Sequence, residues 1–114
     1  MEKLGRIALL YDLYGGLLTK KQQQALELFY DDDLSLGEIA QLWGTSRQAV
    51  HDILKRCEKQ LEHYDTVLRL VERLQENKVF FQQMDELLQQ GAQKQDWQLV
   101  AAVRQKLAAK GEDL

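Results

Sequence analysis

Residues 35–59 constrain the fold of this chain more than any other stretch, because their pattern is typical of two helices joined by a tight turn. The run is SLGEIAQLWGTSRQAVHDILKRCEK. Small Ala40 lies where a crossing second helix needs room, and Gly44 can take a positive φ at the turn without steric penalty. We therefore predict a helix-turn-helix unit with helices over about residues 35–43 and 46–60.

Polar residues at both helix starts support the same prediction. Ser35 followed by Glu38 forms the pattern of a capping box, and Ser46 suits the N-cap of the second helix. Apolar residues then recur at helical spacing along the second helix. The residues predicted to form its inward face are Val50, Ile53, Leu54 and Cys57.

The polar side of the second helix is the candidate binding surface. Arginine and glutamine near the start of such a helix can form paired hydrogen bonds with guanine and adenine edges in a major groove. Cations further along are better placed for phosphates, whereas a merely solvated face is the alternative for any single charge. Thr45 departs from the usual pattern, in which Val or Ile fills the turn. The candidate residues are Ser46, Arg47, Gln48, His51, Asp52, Lys55, Arg56 and Lys59.

Composition indicates an all-α protein with an acidic balance. The chain has 114 residues, no proline and a formal net charge of −3. Its stretches rich in Leu, Gln, Glu, Lys and Ala lack the alternation of β-branched residues that strands require. The negative net charge argues against a strong general affinity for nucleic acid, whereas the excess of cations over residues 46–60 permits selective binding.

The single cysteine and the hydropathy pattern bear on the cellular setting. One cysteine, Cys57, excludes an internal disulfide and favours a cytoplasmic protein, and its place on the apolar face predicts a buried structural thiol. No apolar run reaches transmembrane length, and Asp12 interrupts the first hydrophobic stretch. We therefore predict neither a membrane span nor a secretory signal.

Two further helices are predicted ahead of the helix-turn-helix unit, over about residues 3–14 and 20–30. A wide apolar stripe marks the first helix, and Thr19 with Gln22 forms a capping box at the start of the second. Gly37 allows two interpretations. Its bare backbone either admits a phosphate to a helix N-terminus or packs closely against the helix over 20–30.

Residues 61–114 form the predicted C-terminal helical extension, beyond a helix-turn-helix domain over residues 1–60. Apolar spacing predicts either one helix over 62–90 or two segments with a break near Asn77, with Gly91 as the end, and a last helix over about 96–109. The apolar surface exceeds what the first domain can cover. We therefore favour a homodimer over a compact monomer, without a long regular coiled coil.

Several runs resemble the YlxM family of bacterial proteins. They are LYDLYGGLLTKKQ, LSLGEIA and SRQAV, the last followed by Asp52 and by Lys55 and Arg56. Members of that family are small all-α proteins whose helix-turn-helix part is similar to the fourth region of sigma factors, which reads promoter DNA. The resemblance therefore implies a bacterial cytosolic protein with a DNA-binding, sigma-region-four-like helix-turn-helix domain. Together with the spacing past residue 60, the expected fold is all-α, with this domain followed by extended C-terminal helices. The residues carried over are Ser46, Arg47, Gln48, His51, Asp52 and Lys55.

The resemblance also implies a role in protein targeting, because family members are often encoded beside genes of the signal recognition particle. Two hypotheses follow. The chain is a DNA-binding regulatory protein linked to that pathway, or an interaction module that contacts the particle's protein or RNA without binding DNA.

Catalytic and metal-binding motifs do not emerge from the sequence. His51 and His63 lie too far apart along one helix to form a metal pair, and no second cysteine joins them. The chain carries no phosphate-cradling glycine loop and no Gly-x-Ser-x-Gly elbow. We therefore expect neither an enzyme nor a cofactor.

Overall fold

The computed structural model describes residues 2–113, and every regular element in that range is helical. The elements are α1 Lys3–Tyr14, a 3₁₀ turn Gly15–Leu17, α2 Lys20–Leu26, a π-helical turn Glu27–Asp31, α3 Leu36–Trp43, α4 Arg47–Leu68, α5 Leu70–Lys94 and α6 Trp97–Glu112. The predicted all-α fold is confirmed. The chain divides into two compact units, an N-terminal unit that ends at Val71 and a C-terminal unit that begins at Glu72.

Helix α4 is the central element of the N-terminal unit, because α1, α2 and α3 all pack against it. Each fully buried aliphatic side chain contributes about 1.5–3 kcal/mol to folding. As predicted, Val50, Leu54 and Cys57 are buried on its inner side, with Ile53 partly buried. The buried core comprises Leu10, Tyr14, Leu18, Ala25, Leu26, Ile39, Ala40, Val50, Leu54, Cys57, Leu61 and Val71.

Local capping explains where the first helices begin. Thr19 and Gln22 exchange the side-chain and backbone hydrogen bonds of a capping box at the start of α2. Ser35 and Glu38 do the same at the start of α3. Each box satisfies backbone N–H groups that have no partner inside the helix. Both predicted capping boxes are confirmed.

The end predicted for the fourth helix is wrong. Helix α4 does not stop near residue 60 but continues to Leu68, because its buried side continues through Leu61. The compact N-terminal unit accordingly extends beyond the predicted boundary at 60 and includes Val71. Arg69, in the left-handed conformation at φ 57°, ψ 36°, ends the helix.

A hydrogen-bonded network surrounds Asp65 in the last turn of α4. The Tyr14 hydroxyl donates to Asp65 Oδ1 at 2.7 Å and accepts from the Leu70 N–H at 3.0 Å. The Val71 N–H also donates to Asp65 Oδ1, at 3.2 Å, and Arg6 donates to Oδ2 at 3.3 Å. One carboxylate therefore connects α1, the end of α4 and the start of α5.

Charge reinforces this network. Burial alone would raise the pKa of the Asp65 carboxyl, but donation from Tyr14, from the Val71 N–H and from Arg6 holds that pKa below its usual value. Arg6 also forms a two-pronged ion pair with Glu62, at 2.9 and 2.8 Å. Paired hydrogen bonds between a guanidinium and a carboxylate are among the stronger polar contacts in proteins.

The helices after residue 60 differ from the sequence prediction in where they break. The interruption falls at Arg69 rather than near Asn77, which lies inside α5. Gly91 does not end the helix either, since α5 continues to Lys94. A Cβ atom at Gly91 would lie 3.0 Å from Val100 Cγ2, so the glycine instead allows close packing of α6.

The last helix begins as predicted and extends further. The Asp96 side chain caps α6 by accepting from the Leu99 N–H at 3.1 Å. The helix continues to Glu112, past the predicted end at 109. Lys110 lies over the Phe80 ring, 5.3 Å from its centroid, which connects the far end of α6 with α5.

Tyr14→Phe should destabilise the N-terminal unit by about 1–3 kcal/mol, because it removes the hydroxyl that donates to the partly buried Asp65 carboxylate and accepts from the Leu70 N–H. The measurement is a urea unfolding curve, monitored through Trp43 fluorescence in a Trp97→Phe background. Trp97 is 71% exposed, so its replacement leaves Trp43 as the reporter of the N-terminal unit.

Tyr11→Phe is the matched control on the same helix. Its hydroxyl donates to the exposed Glu27 carboxylate at 2.8 Å, so its loss should cost at most about 1 kcal/mol. Equal destabilisation by the two variants would contradict a special role for the Asp65 network.

Candidate nucleic-acid interface

The turn between α3 and α4 has the conformation that the sequence predicts. Gly44 adopts φ 64°, ψ 39°, in the left-handed region, where a glycine has no Cβ penalty. The Thr45 N–H donates to the Ala40 carbonyl at 2.9 Å and the Gly44 N–H to the Gln41 carbonyl at 3.4 Å. This pair of bonds is a Schellman motif, which satisfies the last carbonyls of α3.

Helix α4 starts immediately after this turn and presents its polar side to solvent. The Ser46 hydroxyl accepts from the Ala49 N–H at 3.1 Å, so Ser46 is the N-cap, as predicted. Arg47 and Gln48 are therefore the first residues of the helix. All of the candidate side chains are exposed, and we call them the α4 face: Ser46, Arg47, Gln48, His51, Asp52, Lys55, Arg56 and Lys59.

Neighbouring helices flank the α4 face on both sides. Arg47, Gln48 and His51 line a shallow depression together with Leu36 at the start of α3. Arg56 lines another with Lys21 at the start of α2. Between the two depressions, a stripe of residues at α-helical spacing runs along the middle of the α4 face. It comprises Gln48, Asp52, Lys55 and Lys59.

Some polar groups of the α4 face are already paired. The Gln48 amide donates to Asp52 Oδ1 at 2.9 Å, and His51 Nδ1 lies 3.6 Å from the same oxygen. Lys55 lies 3.5 Å from Glu58 Oε2, an exposed pair of the kind that contributes little to stability.

The remaining cations of the α4 face have no protein partner within residues 2–113. Arg47, Arg56 and Lys59 form no side-chain hydrogen bond or ion pair there. Their donors are therefore free to bind an external anion. These cations are spread along the α4 face. Arg47 and Lys59 lie at its two ends, about 18 Å apart along the helix axis at 1.5 Å per residue.

Lys21 is a further candidate that sequence reasoning missed. Its ammonium lies 5.5 Å from the centroid of the Trp43 ring and beside Arg56. The Gln22 amide donates to Gln60 at 2.8 Å, which shows how closely the start of α2 approaches α4. No periodicity in the sequence indicates this proximity, because it depends on how α2 packs.

Gly37 lies at the α3 edge of the same surface. The atoms nearest to a Cβ built on it are Arg47 Cδ at 3.7 Å and Ser35 Oγ at 3.8 Å. The interpretation that Gly37 packs closely against the helix over 20–30 is therefore wrong. Its backbone instead lies beside the guanidinium side chain of Arg47.

Cys57 lies on the opposite side of α4 and is fully buried. Burial, followed by the charge of Glu58, raises the pKa of its thiol to about 11. The prediction of a buried structural cysteine is confirmed. Among residues 2–113 no group of three or more His, Cys, Asp and Glu side chains is placed to hold a metal ion. No helix in that range is both long and apolar enough to cross a bilayer.

Comparison with known proteins yields one consistent match. The family model described as "UPF0122: Putative helix-turn-helix protein, YlxM / p13 like" matches residues 1–101. A UPF0122 protein of Clostridium botulinum is 55% identical over 73 residues, which cover 64% of this chain and 67% of that protein. The UPF0122 protein YlxM of Bacillus subtilis is 47% identical over 87 residues, which cover 76% of this chain and 79% of that protein.

Gly44→Ala should destabilise the N-terminal unit by about 1–2 kcal/mol, since an L-residue is strained in the left-handed region. A Cβ at Gly44 would meet no atom within 4 Å, so the cost is purely conformational. Gly16→Ala is the control, because a Cβ there also meets nothing within 4 Å and no left-handed φ is required.

Urea unfolding, again followed by Trp43 fluorescence, measures both glycine variants. Gly16→Ala should change the free energy of unfolding by less than about 0.5 kcal/mol. A Gly44→Ala variant as stable as the parent would show that the turn can relax out of its left-handed conformation.

Proposed function

Because the chain belongs to the UPF0122 family of YlxM- and p13-like helix-turn-helix proteins, we propose that it is a DNA-binding regulatory protein whose α4 face enters the major groove. The observation that carries this proposal is the capped start of α4, where Arg47 and Gln48 stand exposed immediately after the Gly44 turn. In helix-turn-helix proteins this position of the second helix contacts base edges.

The members of the α4 face have different roles in this proposal. Arg47 has unpaired donors and can bond to guanine O6 and N7. The Gln48 amide must release Asp52 before it can pair with adenine. Arg56 and Lys59, together with Lys21, which lines the same depression as Arg56, bind phosphates and set the register on the duplex without reading sequence.

Asp52 makes the proposed interface selective. Its carboxylate lies in the middle of the α4 face, where it repels a phosphate but can accept a hydrogen bond from cytosine N4. The net charge of −3 weakens attraction to DNA in general. Binding therefore depends on correct base contacts more than in a strongly basic protein.

Gly37 contributes space for the backbone of DNA. Gly37 has no side chain of its own at the start of α3, and the neighbouring side chain is that of Arg47, so a phosphate that approaches the first N–H groups of this helix also meets the Arg47 guanidinium. The Arg47 side chain then lies between a phosphate and a base edge.

A homodimer would make the proposed reader symmetric. Leu74, Phe81 and Leu88 are 46%, 54% and 37% exposed and recur at heptad spacing on α5. Exposed apolar residues in such a row mark a helix that packs on another helix. Pairing of two copies through this α5 stripe would allow two α4 faces to bind half-sites about 34 Å apart.

The link to protein targeting rests on the family resemblance and directs the choice of DNA. We propose that the regulated genes include those of the signal recognition particle, so the upstream region of the chain's own operon is the first duplex to test. The second candidate function is an interaction module for the particle's protein or RNA. The acidic net charge and the Gln48–Asp52 pair favour a protein partner in that case.

Arg47→Ala should reduce affinity for the operon duplex about 5- to 150-fold while leaving affinity for a scrambled duplex nearly unchanged, because it removes a base contact. Lys59→Ala should weaken both duplexes and reduce the slope of log K against log salt by about 1, because it removes a phosphate contact. Fluorescence anisotropy over a salt series measures both effects.

Arg73→Ala, an exposed arginine in the C-terminal unit, is the control and should change neither affinity. Equal losses on both duplexes for Arg47→Ala would contradict sequence reading by α4. Tighter binding of signal recognition particle RNA than of either duplex would support the second candidate function instead.

Phe81→Glu should abolish self-association, because it places a charge in the apolar α5 stripe, whereas Val79→Glu should not. Val79 is 52% exposed and lies off the stripe, so it is the matched control. Sedimentation equilibrium measures the mass of each variant. Of the two variants, only Phe81→Glu should bind a duplex with two half-sites more weakly than the parent does. A parent protein that is monomeric at 100-fold above its DNA Kd would contradict the dimer.

A further inference from the structure

A groove between α1 and the end of α2 is a feature of the N-terminal unit that the proposed DNA contact leaves unused. It has a volume of about 340 Å³. The residues that line it are Leu4, Ile7, Ala8, Tyr11, Asp12, Leu26, Glu27, Tyr30 and Asp31. None of them belongs to the α4 face.

The centre of this groove is apolar. Ile7 and Leu26 are 5% and 3% exposed, whereas Leu4 is 58% exposed and Ala8 is also open to solvent. Leu4, Ile7 and Tyr11 recur at helical spacing on α1, so the apolar surface follows that helix for about two turns. An exposed leucine beside buried apolar neighbours offers a site for another apolar side chain.

Carboxylates surround the apolar centre. Asp12, Glu27 and Asp31 line the groove and no lysine, arginine or histidine does. Within residues 2–113 none of these carboxylates has a salt-bridge partner. The Tyr11 hydroxyl donates to Glu27 at 2.8 Å across the groove.

Burial and the neighbouring carboxylates both act on the Tyr11 phenol. Burial raises the pKa of the Tyr11 phenol to about 12, together with the hydrogen bond to Glu27 and the negative charges of Glu27 and Asp31. A negative potential therefore acts on the groove wall itself. Nucleic acid is excluded as an occupant, because its phosphates would meet this potential.

We propose that the α1–α2 groove is a docking site for a basic amphipathic helix of a partner protein. An apolar centre with a carboxylate rim is complementary to a helix that carries apolar residues at i, i+3, i+4 and i+7 and lysine or arginine at its flanks. Leu4 and Tyr11 receive the apolar anchors, and Asp12, Glu27 and Asp31 pair with the flanking cations. The N-terminal unit thus binds DNA and a basic protein segment through different surfaces of opposite charge.

The test uses a synthetic amphipathic peptide of leucine and lysine, with a leucine and glutamate peptide of the same pattern as the control. Two-dimensional ¹⁵N NMR of the full chain locates the binding site. We expect the lysine peptide to bind with micromolar affinity and to shift the amide signals of Leu4, Ala8, Tyr11 and Glu27 most. The glutamate peptide should bind at least tenfold more weakly.

Two variants separate this groove from general attraction to an acidic protein. Ala8→Arg introduces bulk and positive charge into the groove and should weaken the lysine peptide at least tenfold, whereas Ala101→Arg on exposed α6 should not. Asp12→Asn with Asp31→Asn should weaken it several-fold. Asp85→Asn with Asp113→Asn removes the same charge elsewhere and should have little effect.

Each of several results would overturn the proposal. Shifts spread over all acidic surfaces, or equal binding of both peptides, would mean that the groove recognises nothing. Loss of self-association in Ala8→Arg would assign the groove to a second copy of the chain. Loss of operon DNA binding in Ala8→Arg would make the groove part of the nucleic-acid surface. Failure of the docking proposal leaves the Arg47→Ala test of DNA reading unaffected.

Discussion

The N-terminal unit depends on one partly buried carboxylate, that of Asp65. Its side chain accepts from Tyr14 of α1 and from the Val71 N–H in the first turn of α5, and Arg6 supplies the compensating charge. A charge of this kind is stable inside a protein only when hydrogen bonds replace the water it loses. Because Asp65 lies near one end of α4 and the α4 face near the other, the contacts that hold this helix in place also orient the candidate site.

Sequence reasoning located the elements that local chemistry determines. The capping boxes at Thr19 and Ser35, the Ser46 cap and the left-handed Gly44 are each decided by a few neighbouring residues, and all are confirmed. The errors concern positions that tertiary contacts decide. Arg69, not a glycine or asparagine, takes the left-handed conformation, since Asp65 and Tyr14 bind the backbone that follows it.

The same division applies to the candidate site. The exposure of the α4 face follows from helical periodicity and could be predicted residue by residue. The nearness of Lys21 to Arg56, the position of Gly37 beside Arg47 and the groove along α1 could not, because each depends on how separate helices pack. Gly91 illustrates this limit, since a residue that usually ends helices instead permits a close approach of α6.

The buried Cys57 thiol is a chemical probe for opening of the N-terminal unit. Only a thiolate reacts rapidly with alkylating or disulfide reagents, and a buried thiol with a pKa of about 11 supplies almost none at neutral pH. The modification rate of this single cysteine therefore reports how often α2 and α4 separate. Any ligand that binds only the closed unit, whether a duplex on the α4 face or a helix in the α1–α2 groove, slows this modification by a factor of one plus the ratio of free ligand concentration to its Kd.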